Sequence, residues 1–417
     1  MIPETIENNK RQRSVWFDFE KNEILLLISY FIYGVAFANY EPYAPIWLSQ
    51  ISQNGTFLLI GFVVIIPSIV GVIGAPFWGF LADKFGSKKF VILGNIAFSL
   101  MFTSLIFNIS STYFLIMVLV GFLFGSAHTA NLLVLATKSV SKPKEVIFAK
   151  FTIAVSLAFV IFSPLAGWIY DKFANSMIIQ LSIAIVASAI AAIFIFFVKE
   201  KRIEKKFDEK KQNASEKQSL TVFPLVFIGI LIFAFIFQSG GGFWAYSSIY
   251  FLETLNVDGI YFSIFIIVKT ALAVPLSLLL GRVKKEKSIG LIIVCFTVYF
   301  VFVYSLMTIF PTKWILLIIF YSLPMYPLYN VFLYGLIANY SNKSRRALAF
   351  GIFNAIGTLG YISGIIIMGV IADIWQTGTY AGIYSMFPIS VILAGLTFII
   401  AVLFHVLKLR NEIESSN

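Results

Sequence analysis

Twelve apolar runs of roughly 20 to 30 residues, separated by short charged breaks, leave this chain few ways to fold. Each run is long enough to cross about 30 Å of hydrocarbon as a helix rising about 1.5 Å per residue. In hydrocarbon only helices and closed barrels satisfy their own backbone hydrogen bonds, and barrel strands are about ten residues of alternating polarity, a pattern absent here. The runs, numbered spans 1 to 12, fall at 22–48, 57–82, 90–109, 112–136, 146–169, 176–198, 221–251, 259–281, 288–310, 313–339, 347–371 and 379–407. Only 12% of the 417 residues are charged, against about a quarter in a soluble domain, which excludes a water-soluble globular enzyme. The expectation is an all-α membrane protein of twelve transmembrane helices.

Charge fixes the expected orientation. With a cytoplasmic N-terminus, 28 of the 31 basic residues fall on cytoplasmic segments, only Lys172 and Lys313 lie outside, and Lys269 lies within a span. The positive-inside rule then predicts both termini in the cytoplasm of a multi-pass plasma-membrane protein. The net charge of +11 is accounted for by this asymmetry, so no nucleic-acid partner is expected. The stretch before span 1, with Lys10, Arg11, Arg13, Asp18 and Glu20, is mixed in charge, unlike a cleavable signal peptide, and predicts a retained first helix.

Between residues 199 and 220 the chain carries 13 charges in 22 positions, a solvated linker between two halves. Weak internal similarity supports the division: Pro76 aligns with Pro275 and Asn131 with Asn330 at an offset of 199, and Gly167–Asp171 with Gly369–Asp373 at an offset of 202. The predicted organisation is a tail at 1–21, a six-helix bundle at 22–198, the linker at 199–220, a second six-helix bundle at 221–408 and a tail at 409–417.

Cys295 is the only cysteine, which precludes an intrachain disulfide and a cysteine metal cluster. Two distant histidines, and no H-E-x-x-H, G-x-S-x-G or P-loop pattern, predict no metal, no cofactor, no enzymatic activity and no ATP hydrolysis by this chain.

The loop after span 2 reads Gly79-Phe-Leu-Ala-Asp83-Lys84-Phe-Gly86-Ser-Lys88-Lys89. It resembles the G-x-L-A-D-R-x-G-R-K signature of the major facilitator superfamily. Here Gly79 is expected to allow close helix contact, Asp83 to pair with a basic group of a neighbouring helix, and Gly86 to permit a tight reversal. Arg345 and Arg346, before span 11, resemble the family's R-R-x-x-A-x-G turn, and Ser163-Pro164-Leu-Ala-Gly167 resembles its antiporter motif without the first glycine. The arginine usual early in span 4 is replaced by Gly121. The resemblance implies two pseudo-symmetric six-helix bundles that rock about a central site, giving alternating access.

Lys269 is the most informative side chain. It lies 10 residues from the start and 12 from the end of span 8, about 15 Å from either surface, where burial costs at least about 3 kcal/mol. An internal carboxylate, a hydrated cavity or an anionic substrate must compensate. In monocarboxylate and oxalate carriers of the resembled superfamily a basic residue of this helix holds the substrate carboxylate, and Lys269 is similar. Glu41, ahead of Pro42 and Pro45 in span 1, is the candidate proton carrier. Its alternatives are contact with external water or an ion pair with Lys269. His128, with Asn131 nearly one turn later, offers a proton relay or a satisfied packing histidine, whereas His405 is interfacial.

Span 7 holds Gln238-Ser-Gly240-Gly241-Gly242-Phe-Trp244-Ala-Tyr246. Three glycines weaken a helix by about 1 kcal/mol each, which suits a hinge beside a cavity, with close packing as the alternative. Gln238, Trp244, Tyr246, Tyr326, Tyr329, Asn330, Asn354 and Tyr361 are the candidate ligand-facing residues. The expected protein is therefore a monomeric, proton-coupled symporter of a small organic anion, either a carboxylate or a sugar acid. A multidrug/proton antiporter is the first rival, and a ligand sensor or a channel is a weaker one.

Overall fold

The structure, a computed structural model, describes residues 19–52, 55–107, 110–141, 144–173, 177–200, 225–271, 289–321, 346–375 and 382–414. Among these there is no strand, and nine helices are long and apolar enough to cross a membrane. Each of the twelve apolar runs contains helix among its described residues. Span 1 is Lys21–Tyr40 continued by Ala44–Ile51, span 2 Phe57–Phe85, span 3 Ser87–Ile106, span 4 Ser111–Ser139, span 5 Lys144–Lys172 and span 6 Met177–Phe196. In the second half span 7 begins at Leu225–Gly240, span 8 is described over Gly259–Ala271, span 9 is Ile289–Ile309, span 10 is described over Trp314–Tyr321, span 11 is Arg346–Ile374 and span 12 is Met386–Glu414.

The helices sort into two compact units, one from the described parts of Met1–Trp47 and Ile69–Glu204, the other from Leu48–Ser68 and Lys205–Asn417. The boundary differs from the linker-based division, because the end of span 1 and the first half of span 2, Leu48–Ser68, go with the second unit. Its attachment there is specific. The Asp373 carboxylate at the end of span 11 accepts from Phe57 N at 2.6 Å and Leu58 N at 3.1 Å, satisfying two orphan donors of a helix N-terminus and complementing its dipole. Ser49 Oγ donates to Glu253 at 2.9 Å. Burial raises the Glu253 carboxyl above its ordinary range, opposed in part by that hydrogen bond. Asp373→Asn is expected to weaken this attachment. With Cys295 replaced by serine and a cysteine placed at Leu58, labelling by a membrane-impermeant maleimide should quicken several-fold, and an unchanged rate would remove Asp373 from that role.

In the first unit, charged and polar side chains tie together the helix ends on the side of the N-terminus. Lys150 Nζ of span 5 lies 2.7 Å from Glu23 Oε1 of span 1, with the two side chains 7% and 1% exposed, and it also sits 4.1 Å from the Phe19 ring centroid. Glu200 accepts from Ser87 N and Lys88 N at 2.9 and 3.1 Å, capping span 3. Asn22 exchanges hydrogen bonds with the Lys199 backbone. Residues 199 and 200, expected in the linker, thus belong structurally to the bundle.

Candidate functional site

In the second unit the candidate residues gather on spans 7, 8 and 11. Span 7 does not stay α-helical: after Gly240 it tightens to a 3₁₀ turn over Gly241–Tyr246 and then widens to a π-helix over Ile249–Thr254. Such departures mark strain or a hinge, and the glycine run explains where this one falls. The three glycines play different parts. A Cβ on Gly242 would strike the backbone of Gly364 and Ile365 in span 11, whereas one on Gly240 would meet nothing nearer than Leu393 Cβ at 3.6 Å, and one on Gly241 nothing nearer than Trp244 Cδ1 at 3.6 Å. Close packing therefore claims Gly242, whereas a side chain at Gly240 or Gly241 would meet its neighbours at ordinary van der Waals distances.

Near the glycine run lie several of the expected ligand-facing residues. Gln238 is half-buried, with its Cγ 3.6 Å from where a Gly357 side chain would begin. Tyr361, half-buried on span 11, has its ring 4.0 Å from the corresponding position of Gly241. Asn354 lies two turns before Tyr361 on the same helix face and is exposed. Trp244 is half-buried and stacks on Phe265 of span 8, with centroids 5.5 Å apart and planes at 14°. Lys269 follows Phe265 by four residues in the same helix, which puts the two on one face. Only its place in the helix is described.

Tyr246 departs from expectation. Its side chain is fully buried and its hydroxyl donates to the Ile365 carbonyl at 2.9 Å, while its ring lies edge-on to Phe57 at 6.1 Å. In this conformation it is a wedge between helices, because a hydroxyl in an apolar interior takes the nearest carbonyl. Tyr326, Tyr329, Asn330 and Arg345 lie outside the described residues, and Arg346 opens the span 11 helix.

In the first unit Glu41 is exposed at the break between the two segments of span 1. Pro42 and Pro45 supply no N–H, so the carbonyls of Ala38 and Glu41 lose their i+4 donors and the helix parts there. The Glu41 charge acts on the hydroxyls of Tyr33 and Tyr40. Tyr33 in turn stacks on the His128 imidazole, with centroids 4.2 Å apart and planes at 16°. His128 is fully buried, and the Val91 carbonyl is near it without making a well-formed hydrogen bond to either ring nitrogen. Asn131 Nδ2 donates to the Ala127 carbonyl at 2.9 Å. Tyr33 escaped the sequence reading, because an aromatic in an apolar span carries no signal until its neighbours are known.

The loop motif divides as well. Gly86 has φ +91°, a backbone that glycine adopts without strain. Lys88 Nζ caps span 6 by donating to the Phe196 carbonyl at 2.7 Å. Gly79, expected at a close helix contact, has nothing within 4 Å of its Cβ position among the described residues. Asp83 is exposed and makes no hydrogen bond or ion pair among the described residues.

Comparison with known proteins adds a family and a fold. The family profile of the Major Facilitator Superfamily matches residues 26–336. Over 233 residues the chain is 26% identical to the multidrug resistance protein MdtG of Escherichia coli strain SMS-3-5, covering 54% of this chain and 55% of that protein. It thus spans about half the length of the curated relatives it matches. Among solved structures it is similar to a point variant of the nucleoside transporter NupG, with a TM-score of 0.73 at 16% identity, covering 92% of this chain and 99% of that one. It is also similar to the D-xylose-proton symporter, with a TM-score of 0.69 at 12% identity over 90% and 96% of the two chains. The human organic anion transporter MFSD10 gives a TM-score of 0.63 at 14% identity over 92% and 100%. At these identities the structural likeness speaks for the fold alone.

Proposed function

The chain belongs to the Major Facilitator Superfamily, and from that premise we propose that it is a proton-coupled symporter of a small organic anion, working by alternating access. That it is a multi-pass membrane transporter follows from the family and the apolar helices. The observation that carries the substrate class is the position of Lys269 in the span 8 helix, one turn after Phe265, whose ring stacks on Trp244 of span 7. In a membrane helix a charged group faces water or ligand rather than lipid. Between Leu225 and Leu252, and between Ala349 and Ala372, there is no charged residue, so Lys269 is the one charge these three spans bring to the site.

Glu41 is the proposed proton carrier, exposed at the helix break and linked to the buried His128 through Tyr33. Both termini are proposed to lie in the cytoplasm of a plasma-membrane monomer, on the charge asymmetry of the loops. The second reading, multidrug/proton antiport, is favoured by the similarity to MdtG.

A thermal-shift comparison of the purified protein with its Lys269→Gln variant separates the two. Panels of organic anions and lipophilic cations at two pH values are added, since binding raises apparent stability by mass action. An anion is expected to stabilise the wild type and not the variant. Stabilisation by cations alone, equal in both proteins, would make Lys269 structural and turn the assignment to efflux.

A further inference from the structure

Resting on the alternating-access reading and on no particular substrate, we infer that Leu48–Ser68 is a releasable clasp, fastened to the second unit by Asp373 and by a two-glycine notch around the Tyr246 hydroxyl, and that each transport cycle must undo it.

The segment comes from the first half of the sequence, yet it packs with the second unit. Two kinds of contact hold it there. The first is polar. Besides the Asp373 bonds to Phe57 N and Leu58 N, Thr56 caps the same helix start, its Oγ accepting from Leu59 N at 3.2 Å, and Ser49 adds its bond to Glu253. The second is a close backbone fit. A Cβ on Gly61 of span 2 or on Gly369 of span 11 would stand 2.5 Å from the Tyr246 hydroxyl oxygen, and the Gly369 position also lies 3.0 Å from Leu58 Cα. The two glycines form a notch that larger residues would close, and the hydroxyl fills it.

The character of these contacts suits release. Amides in the first turn of a helix take water when their cap departs, and a hydrogen bond exchanged for one to water changes the free energy little. Tyr246 donates to the Ile365 carbonyl within the second unit, so it keeps its partner when Gly61 withdraws, and no buried hydroxyl is orphaned. The chain is weakened on either side of the segment as well. Before it, the span 1 helix breaks at Pro42 and Pro45. At its end, Pro67 withholds a donor from the Val63 carbonyl, and Ser68 Oγ bonds the Val64 carbonyl at 2.8 Å, both of which favour bending. Reversible fasteners between two weak points make a latch. Tyr246 closes the 3₁₀ stretch that starts at Gly241, so a shift of that stretch moves the hydroxyl in its notch.

Spin-label distances on the full-length protein in lipid nanodiscs, with Cys295 replaced by serine, test the clasp. Labels on Gln50→Cys and Ile374→Cys, both exposed, read the segment against the end of span 11. A second pair, on Lys89→Cys and Gly351→Cys, also exposed, reads span 3 against span 11. The first pair is expected to show a short and a long distance. Asp373→Asn and Gly61→Ala should each raise the long-to-short ratio about fivefold or more, the effect of one lost net hydrogen bond. Asp373→Glu keeps the carboxylate and should stay nearer to wild type than Asp373→Asn, which guards against a variant that merely misfolds. One short distance for the first pair in every variant, beside two distances for the second pair, would make the segment a fixed part of the second unit. That outcome overturns the inference and leaves alternating access standing. A long distance whose share ignores both substitutions would overturn it too, since neither fastener then holds. One distance for both pairs would remove alternating access itself, and the clasp with it.

Discussion

Lys150→Ala is expected to lower the stability of the first unit by about 3–5 kcal/mol, the usual consequence of removing one partner from a buried ion pair. Glu23 is 1% exposed and its Oε1 lies 2.7 Å from the Lys150 ammonium. Its other oxygen accepts from the Glu20 backbone N–H at 3.2 Å, in the capping box that starts span 1. Without the lysine a carboxylate remains in a dry position, stripped of its ammonium partner. The double variant Glu23→Gln with Lys150→Met should recover most of the loss, because removing both charges spares both desolvation penalties. Unfolding of the detergent-solubilised protein, followed by loss of helical signal, measures the difference. A Lys150→Ala variant within about 1 kcal/mol of wild type would mean that water already reaches the pair. Glu23 lies in the first turn of the helix that Glu41 caps, so the pair anchors that helix at the end opposite the proposed proton carrier.

That pair also shows what the chain discloses by itself. The spans were legible because the bilayer sets a minimum length for apolar helices, and each of the twelve runs contains helix among its described residues. The break in span 7 was legible from Gly240–Gly242, and that in span 1 from Pro42 and Pro45, since backbone propensity acts locally. Side-chain pairing was not. Glu23 and Lys150 are 127 positions apart, and each read as an ordinary charge at a helix end. Asp373 showed up only as a repeat match to Asp171, and its capping of Phe57 and Leu58 crosses more than 300 positions. Tyr246 looked ligand-facing by composition and is instead held by the Ile365 carbonyl, an acceptor available only because Gly242 and Gly364 bring spans 7 and 11 together. Contacts of this kind depend on which helix faces meet, and a period of 3.6 residues identifies a face without naming its partner.

Those glycines supply the second large effect, in which two substitutions to slightly larger side chains should have opposite consequences. A Cβ on Gly364 would strike the Ser239 carbonyl, and one on Gly360 the Phe235 carbonyl. In both cases the obstacle is the span 7 backbone, which cannot turn aside as a side chain can, so Gly364→Val must force the helices apart. Overpacking ordinarily costs about 1–3 kcal/mol, and a backbone obstacle places this variant at or above the upper end. It would also break the Ser239 Oγ hydrogen bond to the Gly360 carbonyl, 2.9 Å here. Gly241→Ala is different, because its methyl would meet the Trp244 and Tyr361 rings at 3.6 and 4.0 Å, ordinary contact distances. Its stability should stay within about 1 kcal/mol of wild type, while ligand affinity falls about tenfold or more as the methyl stands beside the Trp244 and Tyr361 rings. Melting temperature and affinity for whichever organic anion stabilises the wild type, measured side by side on both variants, check the contrast. If Gly241→Ala melts as early as Gly364→Val, the whole glycine run serves helix packing. If it keeps both its melting temperature and its affinity, the space beside Gly241 is not where the ligand sits. Only the combination of intact fold and weakened binding assigns Gly241 to the ligand and Gly364 to the scaffold that positions it.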